Sequence, residues 1–254
     1  MISFTETQLS AWYGAVFWPL VRVLALFSVA PVLSHRAVPV RVKLMLGFLV
    51  TLLLVPNLNA PPLTDALSGA GIALLVQNIL VGVTLGFSVR LVFAALELAG
   101  EMIGLQMGLS YAGFFSPATG QTQNAVASFL ALLALLMFVA IDGHLMLIHA
   151  LAESFRVFPI AAADAAPISF DLLVRLAADM FSIALAIALP FLAVMLLVNV
   201  VLGVLARVAP QLNIFAVGFP LTLLVGLTVL FLLLPYVQTP LVAALERSLS
   251  VLTR

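Results

Sequence analysis

The sequence predicts an all-α, polytopic membrane protein built of hydrophobic helical hairpins with kinked helices. Two observations carry that expectation. The 254 residues are 65% hydrophobic and 8% charged, whereas soluble domains carry about 25% charged residues. The few charges also fall mostly between long apolar blocks rather than through them. No soluble-looking stretch interrupts the blocks, so residues 1–254 are expected to form one domain.

The blocks predict six helices, over about residues 12–33, 44–55, 72–107, 125–151, 170–208 and 214–234, then an amphipathic segment at 241–254. The first block is apolar from Trp12 to Leu33, interrupted by Pro19 and Arg22. It ends at the chain's only basic cluster, with Arg36, Arg41 and Lys43, which places the first connection on the cytoplasmic side. The second block stops at Pro56 and is short for a span, which needs about 20 apolar residues. A Pro/Asn/Gly-rich loop with Asp65 as its one charge leads to the third helix near Ile72. The fourth holds Asp142-Gly-His144 inside it. The fifth opens on Ser169 and Asp171, because an anion suits a helix N-terminus. Asp171, Arg175 and Asp179 then form an i, i+4 ladder of a solvated first turn or two. Pro190 and Pro220 kink the last two helices. Glu246 and Arg247 mark the polar side of the closing segment.

Composition also excludes function classes. Ten basic residues balance ten acidic ones, which argues against nucleic acid and against polybasic lipid binding. Cysteine is absent, which removes disulfides, thiol catalysis and cysteine metal sites. Met1-Ile-Ser-Phe-Thr-Glu-Thr has no basic n-region, so no cleaved signal peptide is expected. His144 and His149 are five apart and share no helical face well, so no metal is expected. No phosphate loop or nucleophile elbow is present; neither enzyme chemistry nor a cofactor is expected.

The chemistry concentrates in the third helix. Gly82, Gly86, Gly100, Gly104 and Gly108 fall on one face at about 100° per residue, a helix-packing seam where another backbone can approach closely. Arg90, Glu97 and Glu101 lie on nearly the same stripe. Glu97 and Glu101 repel if both ionise, so a cation from another helix, Arg22 or Arg207, or a protonated carboxyl is expected. These five are the candidate buried charges; the plainer alternative leaves both glutamates at the headgroup level where the helix exits.

Between Glu101 and Asp142 there is no ionised side chain, yet 104–124 is rich in Gly, hydroxyl and amide residues. It makes neither a good membrane helix nor a good solvated loop. Irregular backbone at membrane depth survives inside protein or lining a wet cavity, so 106–123 reads as a re-entrant loop or pore plug. Gln106, Met107, Tyr111, Phe114 and Phe115 supply its bulk. An ordinary polar connection at the bilayer surface is the alternative.

Five runs occur in order along nearly the whole chain. They are Phe17-Trp-Pro-Leu-Val-Arg-Val-Leu-Ala25, Val40-Arg-Val-Lys43, Gly100-Glu-Met-Ile-Gly-Leu-Gln-Met-Gly108, Asp142-Gly-His144 and Arg207-Val-Ala-Pro-Gln-Leu-Asn-Ile-Phe215. In them the chain resembles the FliR/SctT family of type III secretion export-gate proteins, with Val217-Gly-Phe-Pro220 closer to the flagellar branch. The resemblance implies a helical ring around a pore, formed with FliP and FliQ, contacting FlhB with FlhA nearby, and passing unfolded flagellar subunits. It implies the bacterial inner membrane and flagellar basal body, with tilted, broken hairpins largely on the periplasmic side of the bilayer, among membrane lipid. It places the family's pore-closing plug at about 106–123.

Two other readings compete. A small-solute secondary transporter would use Arg90, Glu97 and Glu101 as coupling residues, but should show matched broken helices in both halves, and Pro190 and Pro220 lack clear counterparts in the first. A scaffold that only nucleates the ring is the third.

Overall fold

A computed structural model describes residues 6–35, 37–58, 68–109, 124–160, 170–209 and 214–250. Among the described residues every regular element is helical: α1 Glu6–Val29, α2 Val40–Leu54 with a 3₁₀ turn at Val55–Asn57, α3 Gly69–Gln106, α4 Ala125–Ala140, α5 Gly143–Val157, α6 Phe170–Val208 and α7 Ile214–Ser250. Among the described residues four helices are long and apolar enough to cross a membrane, or five spans if α4 and α5 count as one broken span. The fold is all-α and polytopic, as the composition requires.

Two elements differ from the sequence expectation. The helix expected to run on to about 151 breaks at Asp142, the one described non-glycine residue with positive φ (56°). Asp-Gly is a turn signal because aspartate tolerates the left-handed region and glycine follows freely; the apolar pattern on either side hid it. The last helix does not stop near 234. It continues through Pro235 and Pro240 to Ser250. Each proline removes one backbone hydrogen bond, but Val237, Leu241, Ala244, Leu245 and Leu249 are buried, a helical repeat that packs the final turns. The amphipathic end is thus part of α7.

The chain forms two compact units. The first holds Met1–Leu91, Asp142–Leu176 and Glu246–Arg254; the second holds Val92–Ile141 and Ala177–Leu245. In the first, Trp18, Val23, Leu26 and Phe27 of α1 are buried together with Val81, Leu85 and Val89 of α3 and Leu147, Leu151 and Phe155 of α5. In the second, Leu96, Ala99 and Ile103 of α3 are buried with Leu130 and Ala134 of α4 and Phe191 and Met195 of α6. Phe93 meets Phe138 edge-on at 5.5 Å.

Glycine sets how closely these helices approach. A Cβ on Gly86 would lie 2.9 Å from the Leu26 carbonyl oxygen, and one on Gly82 would strike the Arg22 carbonyl, so α1 and α3 touch backbone to backbone. A Cβ on Gly100 would lie 2.5 Å from Ala127 Cα, and one on Gly104 would strike the Asn124 side chain. Gly108 does something else. It lies beyond the end of α3 with φ of 79°; Gly108 N–H bonds to Leu105 O and Leu109 N–H to Gly104 O, both at 3.0 Å. That is a glycine-terminated helix end of the Schellman type.

Candidate functional site

Two charged residues anchor helix ends. Arg22 lies on the inward face of α1, one turn from Trp18 and Leu26, and is fully buried. A buried guanidinium must place its N–H groups on acceptors. The Asn78 side chain donates to Leu74 O (2.8 Å), which turns its Oδ1 to accept from Arg22 Nε at 3.0 Å. Arg22 Nη1 donates to Ser154 O (2.9 Å) and Ser154 Oγ (3.2 Å), and Nη2 donates to Phe158 O (2.8 Å). The guanidinium stacks 4.1 Å from the Phe155 ring centroid. Ser154 and Phe158 stand at the C-terminus of α5, where the carbonyl ends of the helix carry partial negative charge; Ser154 O also accepts from Phe158 N at 2.9 Å. The cation is therefore held by a helix end, an amide, a hydroxyl and a ring rather than by a carboxylate.

Glu101 shows the opposite polarity. Asn124 caps α4: its Oδ1 accepts from Ala127 N at 2.8 Å. Glu101 grips that cap, Oε2 accepting from Asn124 Nδ2 (2.7 Å) and Oε1 from Asn124 N (3.2 Å). A carboxylate at a helix N-terminus complements the dipole. Gly104, one turn on, makes room for the Asn124 side chain.

The structure therefore brings neither Arg22 nor Arg207 to the glutamates as the sequence reading anticipated. Arg22 is occupied at the end of α5, Glu101 is satisfied by Asn124, and Glu97 is half-buried. Arg90 and Arg207, expected among the buried charges, are exposed on this chain. Among the described residues the ion pairs are Arg156–Glu153 at 3.3 Å and Arg175–Asp171 at 2.7 Å. The second is the first rung of the ladder read at the start of α6.

Of the expected plug, Tyr111, Phe114 and Phe115 lie outside the described residues. Met107 is fully buried against Gly226 of α7, where a Cβ would lie 2.7 Å from Met107 Cγ. Gln106 Oε1 accepts from Asn199 Nδ2 of α6 at 3.2 Å. Sequence reasoning missed Asn78, Asn124, Ser154 and Asn199. Asn124 carried a signal, an N-cap residue directly before an apolar helical run; Asn78 and Asn199 were visible only as lone amides in greasy blocks. Among the described residues no three His, Asp or Glu side chains gather to hold a metal.

Long apolar helices whose charges fasten helix ends define an all-α, polytopic protein with helices long and apolar enough to cross a membrane. Residues 13–248 match the family described as bacterial export proteins, family 1, and the chain belongs to it. It is 49% identical over 239 residues, 93% of this chain and 90% of the relative, to the flagellar biosynthetic protein FliR of Pectobacterium carotovorum subsp. carotovorum. It is 43% identical over 237 residues, again 93% and 90%, to that of Escherichia coli strain K12. To that of Bacillus subtilis strain 168 it is 30% identical over 223 residues, 86% and 85%.

Proposed function

We propose that this chain is a core subunit of the flagellar type III protein export gate in the bacterial inner membrane, without catalysis of its own. In this reading it forms, with FliP and FliQ and in contact with FlhB, the pore through which unfolded flagellar subunits leave the cell. The observation that carries the reading is the 49% identity to a flagellar biosynthetic protein across 93% of the chain. Exposed apolar surface supports it. In the most apolar stretch of α7 only 11% of residues are buried, against 61% in α3, so α7 requires lipid or other subunits around it. The transporter reading draws no support from α3, where Glu101 is committed to the α4 cap and Arg90 is exposed.

The segment 106–123 is the resting seal in this proposal. A seal around a polypeptide conduit must shed water, and uncharged residues can pack a constriction that dewets. Deleting residues 110–120 should leave the complex assembled, leaky to small solutes, and still exporting. A deletion complex that leaks no more than the intact one assigns the segment to a plain connection. For the subunit reading itself, the test is purification. The chain should come out of membranes with FliP and FliQ, and a deletion strain should lose motility and regain it from this gene. A well-behaved homodimer that transports a small solute would establish the alternative.

A further inference from the structure

The exposed surface of α6 between Phe181 and Val208 is leucine and valine at Leu185, Leu189, Val194, Leu196, Leu197, Val200, Val201 and Val204. Between Ser182 and Arg207, which are exposed near its two ends, one polar patch breaks it. Asn199 is exposed and bonded to Gln106, and one turn further Gly203 has nothing within 4 Å of where its Cβ would be. Each primary amide has two N–H donors and a carbonyl with two lone pairs. Their single shared bond leaves most of that capacity without a partner among the described residues. Amide groups left so are costly against lipid. Glycine on an unpacked helix face weakens the helix unless another backbone comes close. The patch therefore faces something that offers N–H and C=O groups and needs close approach.

Resting on the export-gate reading, we infer that Gln106, Asn199 and Gly203 form a sequence-blind contact site for the backbone of an extended polypeptide in transit. Three features favour moving cargo over a fixed neighbouring subunit. The amides bond to each other at 3.2 Å, so the site is partly satisfied when empty and can exchange that bond for bonds to a passing chain. No ionised residue lies within four positions of Gln106 or of Asn199; the charge closest along α6 is the exposed Arg207, one turn beyond Gly203, so the amide pair itself holds no charge that traps cargo of the opposite sign. A primary amide offers the same donor and acceptor as a peptide group, which every substrate carries whatever its side chains. Each contact is a weak, exchangeable hydrogen bond, as a conduit requires.

The test leaves the amides intact. A photo-crosslinking amino acid replaces Leu196, on the Asn199 face, or Val201, on the opposite face, in cells whose export is stalled by a cargo fused to a tightly folded domain. Cargo should cross-link from 196 several-fold more than from 201, and only when the cargo is expressed. Cross-links from 196 that go to lipid or to a neighbouring subunit overturn the inference. Secretion gives the second readout. Asn199→Leu should slow export of unrelated cargos alike by several-fold at unchanged complex level, and Asn199→Gln should restore most of it. Unchanged secretion, or loss of the complex, in Asn199→Leu also overturns it. If cargo cross-links from other positions on α6 or α7 but not from 196, this inference alone fails. If cargo cross-links from nowhere on the chain, the export-gate reading fails with it.

Discussion

Arg22 in the first unit and Glu101 in the second each reach from one helix to the end of another. Arg22 meets the carbonyls that close α5; Glu101 meets the asparagine that opens α4. In each case the charge complements the helix end it meets, and in neither is there a counter-ion among the described residues. The difference lies in depth and in the number of bonds. Arg22 is fully buried and holds three residues of two helices, whereas Glu101 is half-buried and holds one residue. A chain with 8% charged residues thus spends two of its charges on helix termini, the points at which an apolar helix still exposes bare polar backbone. Which of the two fails first when disturbed should follow from what each leaves unpaired.

The largest effect is expected at Arg22. Arg22→Met fits the space but strands Asn78 Oδ1 and Phe158 O, and it takes from Ser154 O one of two donors, the other being the Phe158 N–H. Unpaired buried acceptors cost about 1–3 kcal/mol each, which approaches the whole stability of many domains. Little protein should accumulate in membranes. Arg22→Lys retains the charge but not the planar fork that serves three acceptors at once, so it should fall between Met and the native chain. Detergent-solubilised thermal unfolding separates the three. A lysine variant as stable as the native protein would show that charge alone suffices and that the fork geometry is incidental.

Next come the glycines that let these junctions close. Gly82→Ala drives a methyl into the Arg22 carbonyl and Gly100→Ala drives one into Ala127. Both neighbours are backbone and cannot swing away, so each substitution should cost about 1–3 kcal/mol. Gly104→Leu should go further and displace Asn124 from Glu101; recovery of the assembled complex measures it. Gly203 is the control. Its surroundings in this chain are open, so Gly203→Ala should stabilise the isolated protein by up to about 1 kcal/mol through helix propensity. Equal losses at Gly82, Gly100 and Gly203 would mean that general helix effects, not close approach, govern α3.

The comparison also marks what the sequence made legible. The all-α class, the order of the long helices and the glycine face of α3 follow from composition and from a 3.6-residue period. Those are local properties. The partners of Arg22 lie 56, 132 and 136 positions away, and nothing local says that a lone amide at Asn78 and a helix end at Phe158 will meet one guanidinium. Charge rules pointed instead to the mutually repelling carboxylates of α3, Glu97 and Glu101. They misled because in an apolar interior a helix terminus competes with an ion as a ligand for charge. Asp142 and the prolines of α7 failed in opposite directions. One Asp-Gly turn outweighed a long apolar run, whereas two prolines yielded to a buried helical repeat.

At the Glu101 junction a moderate effect is expected. Asn124→Ala removes the cap of α4 and should cost about 1 kcal/mol. Glu101→Gln should cost less, because one amide oxygen can still accept from Asn124 while its N–H₂ faces a donor. Hydrogen exchange at the first turn of α4 reads both changes locally. If Glu101→Gln frays α4 as much as Arg22→Met unfolds the first unit, burial does not rank these anchors.

The smallest effect is expected where charges do form an ion pair. Arg175 and Asp171 are 2.7 Å apart on the first turns of α6, with both side chains mostly exposed. Water screens such a pair and both partners lose side-chain freedom in making it, so exposed pairs contribute about 0–1 kcal/mol. Asp171 also lies in the first helical turn, where its charge suits the dipole without any help from Arg175. Arg175→Ala should therefore leave the unfolding temperature almost unchanged, and Asp171→Ala should lower it slightly more, because it removes the dipole term as well as the pair. That order, with the carboxylate mattering more than its ion-pair partner, is the same logic as at Arg22 and Glu101 on a solvated site. If Arg175→Ala is instead the more damaging of the two, pairing rather than helix-end chemistry decides what a charge contributes in this chain.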